Sequence, residues 1–418
     1  MLDAFGTLEP GGVMNPEINY PIAERMKHAK PSFVREILKV TAQPDIISFA
    51  GGLPAPELFD TEGMKLATLE TFEKQPRTSL QYSVTDGIVP VRESICAVMA
   101  RRGAKLEPDD LVITNGSQQG IDLIGKIMLD PGDVVILERP SYLAAVQVFE
   151  LYQADMRGVE VDRDGMIPED LERALEEAKR DGKPAKFIYT VATFSNPTGG
   201  TLSLERRKKM LEIAVKHQVL LVEDDPYSDL RFSGTPIPPI IGLVDEVPGS
   251  KEWVASFSTL SKILAPGLRI AWMALPQALR QKVLIAKQAG DLHTSTFNQF
   301  VSHYYLESGR LQDNLPRIQD SYRLRGTTMM EELEKHIPPG VLEYNKPEGG
   351  MFLWAKMAEG VDTYKLVQKA IDEKVVFVPG QPFFPDAKRG TYLRISFSTP
   401  TPDEIKEGVQ RLSRALAD

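Results

Sequence analysis

Between residues 110 and 275 the chain repeats one pattern: a short apolar run, then polar or glycine-bearing text, then a helical stretch. The runs are "LVIT" from Leu111, "VVIL" from Val134, "FIYTV" from Phe187, "VLLV" from Val219 and "WVASF" from Trp253. Runs this short, with no polar alternation, suit strands buried on both faces of a parallel or mixed sheet covered by helices. Between them, "SQQGIDLIGKIMLDPG" predicts a helix that opens at a serine cap and stops at Pro131-Gly132, with Ile121, Ile124, Ile127 and Met128 on one side. "SLERRKKMLEIAVKHQ" predicts another, starting near Ser203. This alternation defines the α/β class. After about residue 295 the texture changes. A long charged helical stretch with a kink expected at Pro316 precedes "GGMFLWAKM", a helix through "TYKLVQKAID", "VVFVPG", "TYLRISFST" and a last helix from about Pro402, a smaller α+β unit.

Length and charge narrow the function. The 418 residues, 42% hydrophobic and 26% charged, suffice for a large core and two structural domains. A net charge of −9 with no basic run argues against a nucleic-acid surface. The single cysteine, Cys96, excludes an intrachain disulfide, fits a reducing compartment, and sits in an amphipathic helical pattern where packing explains it. No stretch reaches the roughly 20 apolar residues of a membrane span. The opening "MLDAFGTLEPGGVMNPEINY" lacks the pattern of a signal peptide and reads as a mobile arm. The five histidines are scattered, without metal-ligand spacing.

In an open α/β sheet, ligands bind beyond the carboxyl ends of the strands. The runs deliver Asn115-Gly116-Ser117-Gln118, Glu138-Arg139-Pro140-Ser141-Tyr142, "FSNPTGG", Glu223-Asp224-Asp225-Pro226-Tyr227, and Ser258-Thr259-Leu260-Ser261-Lys262 followed by Arg269. Taken singly, each has an ordinary reading. Gly116-Ser117-Gln118 is either an N-cap or a phosphate cradle of free backbone N–H groups. Lys262 is either a surface lysine or a reactive amine, and the hydroxyls of Thr259 and Ser261 with Arg269 would suit an anion beside it. "SNPTGG" reads as a tight turn with Asn196-Pro197 as a candidate cis bond. Asp224 could cap, and Arg394 in "YLRIS" could reach solvent.

Together these segments resemble the fold-type I, pyridoxal-phosphate-dependent aminotransferases of class I, nearest the branch of α-aminoadipate, kynurenine and aromatic aminotransferases. The resemblance runs from about Pro31 to the C-terminus through "ISFAGGLPAPELF", "LQYSVTDGIVPVRESI", "ITNGSQQGIDL", "FSNPTGG", "LVEDDPY", "SKILAPGLRIAW", "AKQAGDLHTSTFNQ", "PEGGMFLW" and "TYLRISFS". It implies a large domain over residues 61–305 with a mixed, mostly parallel seven-stranded sheet. It also implies a small α+β domain over 306–418, a segment 31–60 that joins the small domain and lines the substrate site, and a mobile arm over 1–30.

The resemblance also implies the chemistry. Pyridoxal 5'-phosphate is carried covalently on Lys262, which then moves the proton at substrate Cα. Asp224 faces the pyridine nitrogen, and Asn196 and Tyr227 bond the phenolic oxygen. Tyr142 stacks on the ring, and Ser117, Gln118, Thr259, Ser261 and Arg269 surround the phosphate. Tyr82 reaches the phosphate of a neighbouring subunit in a homodimer. Arg394 clamps the substrate carboxylate with Asn196 beside it, Gly51 and Gly52 let backbone approach the substrate, and Arg35 meets the substrate side chain or lies on a surface helix. Glu223, Asp225 and His293 are expected to be structural. One departure stands out: "STLSK" places Thr259 where many relatives have serine and Leu260 where they have an aromatic residue. The expected reaction moves an amino group from an L-amino acid (2-aminoadipate, aromatic or a broad range) to a 2-oxo acid such as 2-oxoglutarate, by a ping-pong cycle in the cytoplasm. The alternatives are another reaction of the same cofactor (racemase, lyase or amino-acid oxidase) and the sensory domain of a transcriptional regulator, which the absence of a basic recognition helix disfavours.

Overall fold

The computed structural model describes residues 20–27, 31, 37, 45–386 and 390–417. The chain divides into two compact units, Met1–Lys30 and Pro31–Asp418. In the first, the arm expected from the sequence lies largely outside the described residues; those described include one helical turn, Glu24–Lys27. Arg35 also lies outside them.

The second unit begins its ordered pairing with β1 (Ile47–Ser48) and then builds a large sheet. Its strands are β2 (Leu111–Asn115), β3 (Val134–Arg139), β4 (Asp155–Asp162), β5 (Gly165–Met166), β6 (Phe187–Thr190), β7 (Leu220–Asp224), β8 (Val254–Thr259) and β9 (Ile270–Ala274). Their spatial order is β2-β9-β8-β7-β6-β3-β4-β5. The pairs β8–β7, β7–β6, β6–β3 and β3–β4 are parallel. β9 runs against both its neighbours. The connection from β8 to β9 carries no α-helix, and a parallel return needs a crossover of a dozen or more residues, so the chain turns straight back. The sequence expectation of a mixed, mostly parallel sheet holds, with β5 a two-residue eighth strand hooked antiparallel onto β4.

Five sequence runs fall on β2, β3, β6, β7 and β8. Helices Ser117–Met128, Leu143–Leu151, Pro168–Arg180 and Leu204–His217 link the parallel strands. The first buries Ile121, Leu123 and Ile124 against the sheet, each worth ~2 kcal/mol relative to exposure. Its cap corrects the sequence reading: Ser117 is the first helical residue, and Gly116, at φ 83°, holds the cap position. Helix Leu204–His217 does begin at its serine, Ser203 accepting the N–H of Arg206.

The small sheet contains β10 (Leu342–Tyr344), β11 (Phe352–Met357), β13 (Val378–Pro379) and β14 (Tyr392–Ser396) in the order β10-β11-β14-β13, all antiparallel. β12 (Val375–Val376) pairs instead with β1, in parallel. Helix Arg310–His336 packs against helix Pro402–Ala417 and runs as one helix with Pro316 inside it. Gly408 in the last helix has a packing cause, since a Cβ there would stand 2.4 Å from the Phe49 ring.

Candidate functional site

Because β9 alone is reversed among the long strands, one edge of the large sheet collects the carboxyl ends of β2, β3, β6, β7 and β8 and the amino end of β9. Arg269, the residue before β9, therefore shares that edge with the residues the other strands deliver.

β7 ends there in three buried acids with three different surroundings. Side chains alternate along a strand, so Glu223 and Asp225 leave one face and Asp224 the other. Glu223 accepts the Ile240 N–H at 2.7 Å and the Ser256 hydroxyl at 3.1 Å, with Arg207 at 3.9 Å. Asp225 has Arg102 at 3.8 Å and accepts the Ser228 hydroxyl. Both carboxylates are thus engaged by protein groups, which supports the structural role expected from the sequence. Asp224 accepts the Tyr189 hydroxyl at 2.8 Å on Oδ2, while its Oδ1 is buried with no partner among the described residues. Burial, with Asp225 adding and Tyr189 opposing, pushes the Asp224 carboxyl up to about 7. A buried carboxylate oxygen left bare is costly unless something else satisfies it.

Lys262 lies three residues beyond β8. Its amine donates to the Gly52 carbonyl at 2.9 Å and stands 5.9 Å from the centre of the Tyr227 ring. Burial first, then the charges of Arg394 and Arg269, lower its pKa to about 8. Arg394, on β14, is buried: Nη1 donates to Asn196 Oδ1 and Nη2 to the Ala50 carbonyl, both at 2.7 Å, while Nε has no partner among the described residues. Its guanidinium sits 4.4 Å from the Phe352 ring centre, and burial lowers its pKa to about 10. Asn196 precedes a cis proline, as the sequence suggested. Tyr227 is buried, its phenol pushed up by burial, with Tyr142 adding to the shift and Arg394 and Asn196 opposing it. A Cβ on Gly52 would stand 3.0 Å from the Phe352 ring, a tight contact; Gly51 beside it is buried.

The turn before helix Ser117–Met128 forms a second cluster. Arg269, in the left-handed region at φ 56°, donates from Nη2 to the Asn115 carbonyl at 3.2 Å. A Cβ on Gly116 would stand 1.9 Å from that nitrogen, so only glycine admits the guanidinium over the turn. Thr259 is turned inward, its Oγ1 accepting the Ser261 N–H at 3.1 Å and lying 2.8 Å from Ser261 Oγ; it supports Ser261. Gln118 is exposed and donates to the Ala144 carbonyl at 3.3 Å. Tyr142, half-buried, leads into helix Leu143–Leu151.

The structure thus brings together Lys262, Asn196, Tyr227, Arg394 and Gly52, and separately Gly116, Ser117, Arg269, Thr259 and Ser261. Tyr82 stands apart within this chain, 78% exposed, its ring edge-on to His293 at 5.8 Å. Sequence reasoning missed Tyr189, the partner of Asp224. Its place follows from strand pairing rather than from local spacing: Tyr189 pairs in register with Val222, and the two-residue period puts Asp224 on the same face.

Pyridoxal phosphate suits what is here. The bare Asp224 oxygen awaits a proton donor, the Lys262 amine is partly neutral near pH 8, and the glycine turn under Arg269 suits a phosphate. Fold and site together define a pyridoxal-phosphate-dependent transferase. The chain belongs to the family of aminotransferases of class I and II, whose profile matches residues 55–412. Among its relatives, aromatic-amino-acid aminotransferase 1 of Thermococcus litoralis is 39% identical over 411 residues, 96% of each chain. The 2-aminoadipate transaminase of Thermus thermophilus is 40% identical over 388 residues, 92% of this chain and 94% of its own. The solved kynurenine aminotransferase of Pyrococcus horikoshii, in complex with PMP, superposes with a TM-score of 0.90 at 40% identity, over 95% of this chain and 96% of that one. The protein is a pyridoxal-phosphate-dependent aminotransferase; these relatives favour neither alternative weighed from the sequence.

Proposed function

We propose that the protein transfers the amino group of an L-amino acid, with 2-aminoadipate and aromatic amino acids as the first donors to test, to a 2-oxo acid, with 2-oxoglutarate as acceptor, in a ping-pong cycle. The observation that carries this reading is Arg394: a buried, half-satisfied guanidinium within the electrostatic reach of the Lys262 amine, suited to a carboxylate. The relatives named for aromatic amino acids, 2-aminoadipate and kynurenine support the choice of donors.

In this reading the bound cofactor supplies an electron sink for charge that develops at substrate Cα. Lys262 anchors it and then holds and returns the Cα proton. Asp224 Oδ1 takes the ring N–H, and Tyr189 orients that carboxylate. Tyr227 and Asn196 bond the cofactor's phenolic oxygen, Tyr142 covers the ring, and Arg269, Ser117, Gln118 and Ser261 hold the phosphate, with Thr259 behind Ser261. Arg394, aligned by Asn196, fixes the substrate carboxylate against Gly51 and Gly52. Arg35 remains a proposed contact for the substrate side chain.

The division into residues 61–305, which hold the cofactor, and 306–418, which form the small domain, is likewise proposed. The β1–β12 pairing and the Ser396 N–H bond to the Phe49 carbonyl at 2.8 Å support assigning residues 31–60 to the small domain. A homodimer is proposed on the exposure of Leu80 (68%), Tyr82 and Val84 (55%), an apolar segment that a second copy would cover. A reducing cytoplasm suits Cys96, whose thiol burial pushes up to about 11. Among the described residues no helix is long and apolar enough to cross a membrane.

The test is a donor panel (2-aminoadipate, kynurenine, aromatic, branched and basic amino acids) against 2-oxoglutarate. Turnover of 2-aminoadipate or an aromatic donor that depends on the oxo acid supports the proposal; turnover independent of any oxo acid overturns it.

A further inference from the structure

Behind the glycine turn lies a partly buried polar cluster with Lys287 at its centre. Lys287 and Asp291 occupy the end of helix Gln277–Asp291, and Lys287 is fully buried. The Lys287 ammonium has three protons and three acceptors: Asp291 at 2.8 Å, Gln119 Oε1 at 3.2 Å and Thr294 Oγ1 at 3.2 Å. Asp291 Oδ2 also accepts Asn115 Nδ2 at 2.5 Å and Gln119 Nε2 at 2.7 Å. Gln119 Oε1 takes the Asn115 backbone N–H at 2.8 Å, and Thr294 donates to the Ile113 carbonyl at 3.2 Å. Every arm of the cluster therefore ends on β2, the turn, or the first turns of helix Ser117–Met128.

We propose that Lys287 and Asp291 are positioning residues that fix the turn Asn115–Gly116–Ser117 from behind and so set the affinity for the cofactor's phosphate. This rests on the reading of that turn as the phosphate site. Asn115 is the shared element. Its side chain goes to Asp291, its N–H to Gln119, and its carbonyl to Arg269 on the opposite side. An anion held by backbone N–H groups gains from donors already aimed at it, because no reorganisation is then needed. A lysine buried beside a partly exposed carboxylate is a costly way to add stability, and its full set of acceptors here points to geometry as its role.

The test compares Asp291→Asn, Lys287→Met and Asn115→Leu with the unaltered full-length apoprotein, titrated with pyridoxal phosphate and, in parallel, with pyridoxal, which lacks the phosphate. Asp291→Asn and Lys287→Met are expected to weaken pyridoxal phosphate about 10-fold, the scale of one lost charge-assisted hydrogen bond, and to leave pyridoxal unchanged. Competition by inorganic phosphate should weaken in step. Asn115→Leu removes one arm without stranding a buried charge and should act in the same direction, keeping the test open if the other variants fold poorly. A lower Tm with an unchanged ratio of the two affinities would make the cluster merely structural and overturn the proposal. Arg269→Met separates the two levels. If it alone changes the ratio, only this inference fails; if it too leaves the ratio unchanged, the phosphate lies elsewhere and both readings fall.

Discussion

The hydroxyl of Tyr189 donates to Oδ2 of Asp224 at 2.8 Å and leaves Oδ1 of the same carboxylate buried and bare. In the proposed site, one oxygen is held in place so that the other can face the cofactor. Removing the holder tests this. Tyr189→Phe is expected to lower kcat about 10-fold, in line with the 1.5–3 kcal/mol of a hydrogen bond to a charged group, with little change in KM for the amino acid.

Asp224→Asn should cost more, about 10²- to 10³-fold in kcat. It should also stabilise the apoprotein, and the sign follows from the raised pKa. The folded carboxyl titrates near 7 against an ordinary 3.8, so burying its charge is a penalty fully present above pH 7 that fades as pH falls toward 4. Thermal unfolding of the apo variant across that window checks it: a higher Tm than the unaltered protein at pH 8, and no difference at pH 4.

Lys262 gives the mirror case. Its amine titrates near 8 rather than 10.5, and only the neutral form attacks an aldehyde. The rate of covalent capture of pyridoxal phosphate by the apoprotein should climb with pH and level off above about 8; a climb continuing to 10 would contradict the lowered value. In stability terms the buried cation is a full penalty below pH 8 and none above 10.5. Lys262→Met should therefore raise the apo Tm at pH 7 and converge with the unaltered protein at high pH.

Arg394→Lys keeps the charge but loses the fork that spans Asn196 and Ala50. Expected is a fall of about 100-fold in kcat/KM for amino donor and oxo acid alike, because a point charge does not reproduce bidentate recognition of a carboxylate. Steady-state kinetics with both substrates decide it; a loss confined to one substrate would assign Arg394 to a side chain instead.

Tyr82 offers a test by complementation. In the proposed homodimer, the Lys262→Ala and Tyr82→Ala variants should each be impaired. Mixed under conditions that exchange subunits, they should regain activity, since one site of each hybrid would then combine an intact lysine with the partner subunit's Tyr82. No recovery, with exchange shown by mass, would confine Tyr82 to its own subunit.

How much of this was legible in advance varied with the physics of each segment. Runs buried on both faces, such as Leu220–Val222, read as strands because nothing polar interrupts them. β4 did not, because its mixed sequence, Asp155-Met156-Arg157-Gly158-Val159-Glu160-Val161-Asp162, is only partly buried near the sheet edge. β9 was masked by its own setting, a strand that begins at Ile270, directly after the turn Pro266–Leu268 and Arg269. The site was legible where a motif packs several groups into one stretch, as in "LVEDDPY". It was not where distant residues meet: Tyr189 with Asp224, or Lys287 and Asp291 with Asn115, require pairing and register that no local spacing encodes.

The hairpin that reverses β9 places the Lys262 amine and the Arg269 guanidinium on one ten-residue excursion, Leu260 to Arg269, between β8 and β9. In the proposed site, the reach from covalent tether to ionic tether is thus a ruler written into local backbone, not a gap spanned by separate domains. Lengthening the excursion by one residue should spoil cofactor seating while leaving the sheet intact.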